Sequence, residues 1–257
     1  MTVLAVFNQK GGVGKTTTVL NLAAGMARRG RAPACIDLDP QAQLSAAMGV
    51  LAQQGDESVY GLFQRNRTLS ELRKTSPNGI SIVPAHIELA KVETLYGKGY
   101  NAINKLNASF QTERAAGVDT TWIIDCCPLV GVLSLNAIFA SDGVLVPISA
   151  DYLSMKGAVQ ISKTLHALEQ VLKRRVPRRY LVTRFDKRRG MSADILQTAR
   201  QTFGADVCET VIAENVSLAQ SPSQQMNIFE FAPSSHGAQD YEALLAELLA
   251  DGFIKSA

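Results

Sequence analysis

This chain is short of the residues that build most metal and redox centres. Its 257 residues include only four cysteines and three histidines. Cys35, Cys126, Cys127 and Cys208 lack metal-ligand spacing, and adjacent Cys126 and Cys127 make a poor zinc pair. They read as reduced, buried thiols of a cytoplasmic protein. An iron–sulfur reductase is disfavoured too, because a shared cluster needs cysteines from well-separated loops. His86, His166 and His236 form no recognisable constellation and read as surface or helix-end residues. No apolar stretch approaches the roughly 18–20 residues of a membrane span. The first residues run straight into a strand pattern, so no signal peptide is expected. No linker, repeat or low-complexity segment is visible, so residues 1–257 are expected to form one domain.

What the chain does have is a glycine loop between a strand and a helix. Residues 10–17 read Lys10-Gly11-Gly12-Val13-Gly14-Lys15-Thr16-Thr17. The run fits G-x-x-x-x-G-K-[ST] loosely, with Gln9 in place of the first glycine and a second lysine, Lys10, ahead of the others. Val3 to Phe7 is rich in strand formers, and Thr17 to Arg29 has helical periodicity. That is the context of a phosphate-binding loop. Glycines let successive backbone N–H groups curl round an anion. The helix that follows adds its N-terminal N–H groups and dipole. Lys15 would neutralise the outer phosphates, and the Thr16 hydroxyl would ligate Mg²⁺.

Short apolar runs alternate with helical patterns along the rest of the chain. Strands are expected at 2–7, 33–38, 80–83, 121–125, 143–148, 179–184 and 207–212. Helices are expected at 16–29, 41–48, 86–95, 100–115, 153–175 and 191–203. A last helix carries the stripe Tyr241, Leu244, Leu245, Leu248 and Leu249. The alternation implies an α/β fold: a doubly wound, mostly parallel sheet with helices on both faces. Ligands of such folds sit at the carboxyl ends of the strands, where the loop falls.

Two further strand ends carry acids. Ile36 leads into Asp37-Leu38-Asp39-Pro40-Gln41, and Ile123-Ile124 leads into Asp125-Cys126-Cys127-Pro128. Asp125 suits the acid that holds a Mg²⁺ hydration shell. Asp37 and Asp39 alternate by two, so a strand-like segment would point them the same way. One could orient water while the other braces the loop. The alternative role for an acid at a strand end is to cap the next helix.

Charge is uneven. From Lys156 to Arg189 there are eleven Lys/Arg against two acids, an excess of nine in a chain of net charge +3, so the remainder carries −6. The excess suggests a polyanionic partner; a solvated helix face is the plainer explanation.

The two-lysine loop, Asp37-Leu38-Asp39-Pro40-Gln41 and Ile123-Ile124-Asp125-Cys126 together resemble the ParA family of deviant-Walker-A P-loop ATPases, relatives of MinD. The likeness continues through Val144 to Ile148 with Asp151-Tyr152-Leu153, and through Asn215 to Ser223. It is similar to the short form without an N-terminal helix-turn-helix. The resemblance implies a homodimer that closes on ATP, with Lys10 reaching the partner's phosphates and Gly12 at the closest approach of the two loops. It implies that Asp39 positions the attacking water, that Thr16 and Asp125 serve Mg²⁺, and that Ala213 and Glu214 lie near the adenine. It further implies nonspecific DNA binding on the nucleoid and an adaptor that stimulates hydrolysis.

Two departures stand out. The family run Pro-Arg-Asn-Val-Arg-Leu is Ala213-Glu214-Asn215-Val216-Ser217-Leu218 here, so both arginines are gone. DNA affinity is expected to have moved to Lys187, Arg188 and Arg189. The strand end reads Asp-Cys-Cys-Pro where the family has Asp-Cys-Pro-Pro, which should alter packing and leave metal binding intact. Other functions on this scaffold fit less well. A MinD-like membrane switch needs a basic amphipathic tail, and residues 248–257 carry one lysine and one acid. A metabolic synthetase needs a pocket of convergent polar groups.

Overall fold

The computed structural model describes residues 1–95 and 99–255. Seven strands, β1 (Thr2–Val6), β2 (Ala34–Leu38), β3 (Lys74–Thr75), β4 (Ser81–Val83), β5 (Thr121–Cys126), β6 (Gly143–Ser149) and β7 (Arg178–Thr183), form one sheet. Their order is β3-β4-β2-β5-β1-β6-β7, parallel except for the β3–β4 pair. Strands β1, β2 and β6 are buried along their whole length, as parallel strands covered on both faces must be.

Side-chain alternation divides the interior into two cores. Leu4, Val6, Ile123, Leu145 and Leu181 face the first helix, Lys15–Arg28, and the last long helix, His236–Ala250. Val3, Ala5, Trp122, Ile124 and Val146 face the other way, toward helices Lys105–Ala115, Val132–Ala140, Tyr152–Leu172 and Gly190–Phe203. The stripe of the last helix is used as its spacing predicts: Tyr241, Leu244, Leu245 and Leu248 are buried. It lies close to the first helix at Gly25, where a Cβ would come within 3.1 Å of Leu245.

Three expected elements differ in the structure, and one short strand was not expected. Residues 207–212 are not a strand, although they run beside β7: the Cys208 N–H donates to the Tyr180 carbonyl and the Ile212 N–H to the Val182 carbonyl, both at 2.9 Å, with isolated bridges at Val207 and Ala213. Between those two bonds the Glu247 carboxylate takes the N–H groups of Glu209 and Thr210 (2.7 and 2.8 Å), which interrupts the pairing with β7. Residues 86–95 form a 3-10 turn, Ile87–Lys91, followed by one α-turn, Val92–Leu95. The run 100–115 is broken at Asn104, whose φ and ψ of −108° and 1° lie outside the helical range. The short antiparallel β3, two residues long, has no pattern to find.

The chain end folds back. Ile254 is fully buried, and its N–H donates to the Leu248 carbonyl at 2.8 Å. Residues 256 and 257, part of the tail considered for membrane attachment, lie outside the described residues. No helix among the described residues is long and apolar enough to cross a membrane.

If the last helix completes this core, Leu245→Ala should cost about 2–5 kcal/mol through lost transfer energy and a residual cavity. Urea unfolding checks it; wild-type stability in the variant would show that the helix is dispensable.

Candidate nucleotide site

The loop after β1 is held open by residues around it. Gly12 and Gly14 have φ of +75° and +89°, a region that side chains rarely enter. A Cβ on Gly11 or Gly12 would meet nothing within 4 Å, so both glycines face open space. Buried Asn8 fixes the entry: it accepts from the Lys10 N–H (2.9 Å) and donates to the Pro147 carbonyl (2.6 Å). Thr183, at the end of β7, donates to the Val13 carbonyl at 2.9 Å. Lys15 opens the helix, is buried, and donates to the Lys10 carbonyl at 3.1 Å. Lys10 itself is turned aside, paired with Asp151 at 2.6 Å.

The sheet register delivers the acids. Asp125 is the lateral partner of Val6 on one side and of Asp37 on the other. One Asp125 oxygen accepts from the Thr16 hydroxyl at 2.7 Å, while the other is buried with no partner among the described residues. Burial, then the neighbouring Asp37, pushes the Asp125 carboxyl well above its ordinary value. An orphaned carboxylate oxygen beside a hydroxyl is a hard-oxygen donor set, and it fits Mg²⁺.

Asp37 is a brace. Fully buried, it accepts from the Ser45 N–H and hydroxyl (2.8 and 2.7 Å) and from the Asp39 N–H (3.1 Å). Burial outweighs these bonds and raises its carboxyl to about 6. Asp39 lies past the strand end, half-buried, and accepts from the Gln41 N–H at 2.9 Å.

Two hollows adjoin the loop. A cleft of about 630 Å³ is lined by Gly11, Gly12, Lys15, Thr16 and Asp39 together with Ile87, Glu93, Cys127 and Leu129. A smaller one of about 230 Å³ runs from Gly12, Gly14 and Thr17 to Ala213, Glu214 and Tyr241. The first could seat phosphates with their metal, and the second a flat ring.

Known proteins are similar to this chain in sequence and in fold. The model of a family described as an AAA domain matches residues 1–177. The chain is 35% identical over 248 residues to the chromosome-partitioning ATPase Soj of Thermus thermophilus, covering 96% of this chain and 95% of that one. It is 32% identical over 249 residues to the chromosome partitioning protein ParA of Caulobacter vibrioides, covering 96% and 93%. The chain belongs to the ParA/Soj family. Among solved structures, the cobyrinic acid a,c-diamide synthase of Mycobacterium smegmatis with bound ATP analog and magnesium is similar at a TM-score of 0.84 and 28% identity, covering 99% and 96%.

In this ParA/Soj-family chain the loop residues 10–17, Asp39 and Asp125 converge at one end of the sheet, and Ala213 and Glu214 line the adjoining hollow. The basic run does not stay together. The helix Tyr152–Leu172 has 21 residues, about 30 Å, and carries Lys156 and Lys173 to opposite ends of the sheet. Arg178 is buried against Glu169, Arg179 pairs with Asp251, and Arg184 pairs with Glu214. Lys187, Arg188 and Arg189 stay exposed, but Arg188 and Arg189 share Asp186 at 2.9 and 3.3 Å. Two of the three cations therefore share one carboxylate. Sequence reasoning did not single out Asn8, Ser45, Thr183 or Arg184, because none belongs to a motif; their roles arise from contacts across the fold. The four cysteines are buried and free, and Cys127 lines the cleft, where burial pushes its thiol up to about 12.

Asp37 gives a signed pH prediction. Its carboxyl is raised from the ordinary value near 4, so the folded state keeps its proton longer than the unfolded chain. Its contribution to stability is full below about pH 4 and is lost as pH rises through about 6. Across that window the denaturant midpoint should fall more steeply in wild type than in Asp37→Asn, which keeps only the decline due to the buried Asp125. Parallel pH profiles would refute the assignment.

Proposed function

We propose that residues 1–257 act as one ATPase unit that dimerises on ATP and binds DNA nonspecifically in that state. It positions or partitions a cargo, a plasmid, a chromosome or a large protein assembly, through an adaptor that stimulates hydrolysis. The observation that carries this reading is the two-lysine glycine loop seated on Asp125 through Thr16. Likeness to partition proteins over nearly the whole chain supports it.

In this reading Lys15 and the loop amides hold the phosphates, and Thr16 and Asp125 hold Mg²⁺. The bound metal supplies neutralisation of phosphate charge. Asp39, at the cleft edge, orients water. Ala213 and Glu214 flank the adenine in the smaller hollow. Lys10 begins on Asp151, and its release is cheap, because both side chains of the pair are more than a third exposed and such pairs contribute roughly 0–1 kcal/mol. Asp151 is not orphaned when Lys10 leaves. Against its partial burial, Lys10 and the Ser149 and Ser154 donors hold its carboxyl well below the usual range, and the serines stay. The departing ammonium can then stabilise phosphoryl-transfer charge in a second copy.

The chain so read works on the nucleoid in the cytoplasm, with no membrane partner. A buried Ile254 leaves the described tail no free amphipathic segment. A second reading, an ATP-dependent synthetase, is favoured by the M. smegmatis likeness and by the cleft's polar groups Asp39, Gln41 and Glu93. Hydrolysis that depends on DNA and an adaptor, with no small acceptor, separates the two.

Lys15→Ala should abolish nucleotide binding, and Lys10→Ala should leave a monomer that cannot close. Asp39→Ala should bind ATP and DNA yet turn over about 100-fold more slowly, trapping the dimer. Light scattering with ATP and a phosphate-release assay read these outcomes; a wild type that binds ATP while remaining monomeric defeats the proposal. Separately, Ala at Lys187, Arg188 and Arg189 together should flatten the log-affinity against log-salt slope for duplex DNA by about 2–3. An unchanged slope would place the DNA elsewhere.

A further inference from the structure

We propose that Glu93 is a positioning residue for hydrolysis, which latches the segment after Asp125 to the turn Val92–Leu95 in the lining of the nucleotide cleft. The inference rests on reading that cleft as the site of ATP turnover.

Residues 127–131 join β5 to the helix Val132–Ala140, and they begin two residues after Asp125. The segment is irregular, and it exposes Leu129 and Val130, so its own packing holds it weakly. It is fixed at one end by the sheet and at the other by the helix N-terminus. That terminus is fastened by side chains. Glu93 accepts from the Val132 N–H through one oxygen at 2.9 Å and from the Leu133 N–H through the other at 3.1 Å. The Gly131 N–H donates to the Ser134 hydroxyl at 3.0 Å. Three of the four donors left over at a helix start are thus satisfied.

Glu93 comes from a separate part of the chain, the turn Val92–Leu95 that follows Ile87–Lys91. Ile87, Ala90 and Glu93 line one stretch of the cleft, and Cys127, Pro128 and Leu129 line the next. Glu93 therefore joins two stretches of the cleft lining that lie apart in sequence. Its charge suits the positive end of the helix dipole, and ionic hydrogen bonds are roughly twice as strong as neutral ones. The fit is tight. A Cβ on Gly131 would lie 2.3 and 2.5 Å from the two Glu93 oxygens, so this position is restricted to glycine while the latch is closed. Gly131 thereby supplies a test independent of removing the acid, because Gly131→Ala should push the carboxylate off the helix.

An open latch would free residues 127–131 and, through them, the carboxyl end of β5 that carries Asp125. Misplacement of a reacting group by about 1 Å can cost around 100-fold, and loss of outer-shell support commonly costs about 10–100-fold. The experiment uses the full chain with Glu93→Ala, Glu93→Gln, Gly131→Ala and the Glu93→Ala/Gly131→Ala double variant. Four quantities are read: phosphate release with saturating MgATP, ADP affinity without magnesium, thermal melting, and amide exchange at Val132 and Leu133. Glu93→Ala and Gly131→Ala should each lower turnover about 10–100-fold and speed exchange at both amides. ADP affinity should hold. Glu93→Gln, which keeps one acceptor oxygen, should fall between. The double variant should turn over no more slowly than Glu93→Ala alone, since both changes open the same latch. Wild-type turnover in Glu93→Ala despite faster exchange would overturn the proposal, as would losses that simply add in the double variant. If all variants bind ATP and only turnover fails to respond, the latch inference alone falls; a wild type that binds no ATP removes the ATPase reading as well.

Discussion

A single hydrogen bond joins the two halves of this site: the Thr16 hydroxyl donates to Asp125 across 109 residues of sequence. It exists because β1 and β5 are neighbours in parallel register, with Val6 beside Asp125. The glycine loop leaves β1 at the level where β5 presents its acid, so the helix that starts at Lys15 sets its first turn against that carboxylate. Burial then makes the contact consequential. Asp125 keeps one oxygen without a partner, and leaving a buried acceptor unmet costs about 1–3 kcal/mol. A hard cation with its water is the natural occupant of such a position.

The surroundings divide the work by depth. Asp37, deepest, is spent on Ser45 and the Asp39 amide, and so fixes the strand end from which Asp39 projects. Asp39 and Lys10 lie nearer the surface, where side chains can move at little cost. Asn8 and Thr183 hold the loop from below and beside it. Part of the cleft lining is assembled from two segments distant in sequence and joined at Glu93. The pattern is of rigid, buried groups for anion and metal, and of weakly tethered ones for whatever must change partner.

Charge shows why composition alone misleads. Eleven cations within a 34-residue stretch look like a single patch. A long helix separates them, and Glu169, Asp251, Glu214 and Asp186 each take one or more in ion pairs. What remains exposed near the loop's end of the sheet is smaller than the sequence count, and it is concentrated at residues 187–189.

Local sequence determined the elements that announce themselves by composition. The buried parallel strands are apolar runs, the first and last long helices have clear stripes, and the loop Lys10–Thr17 carries its own glycines, lysines and threonines. The acids at 37, 39 and 125 were legible because each ends an apolar strand. Only the tertiary structure decided which of Asp37 and Asp39 braces and which faces the cleft, since the two look alike in sequence and differ in burial. It alone interrupted the pairing of residues 207–212 with β7, because Glu247, on a distant helix, takes the N–H groups of Glu209 and Thr210 between the β7 bonds of Cys208 and Ile212. It alone brought Asp151 to Lys10 and Glu93 to the helix after Asp125, since contacts between residues 39 and 141 positions apart leave no local periodicity to read.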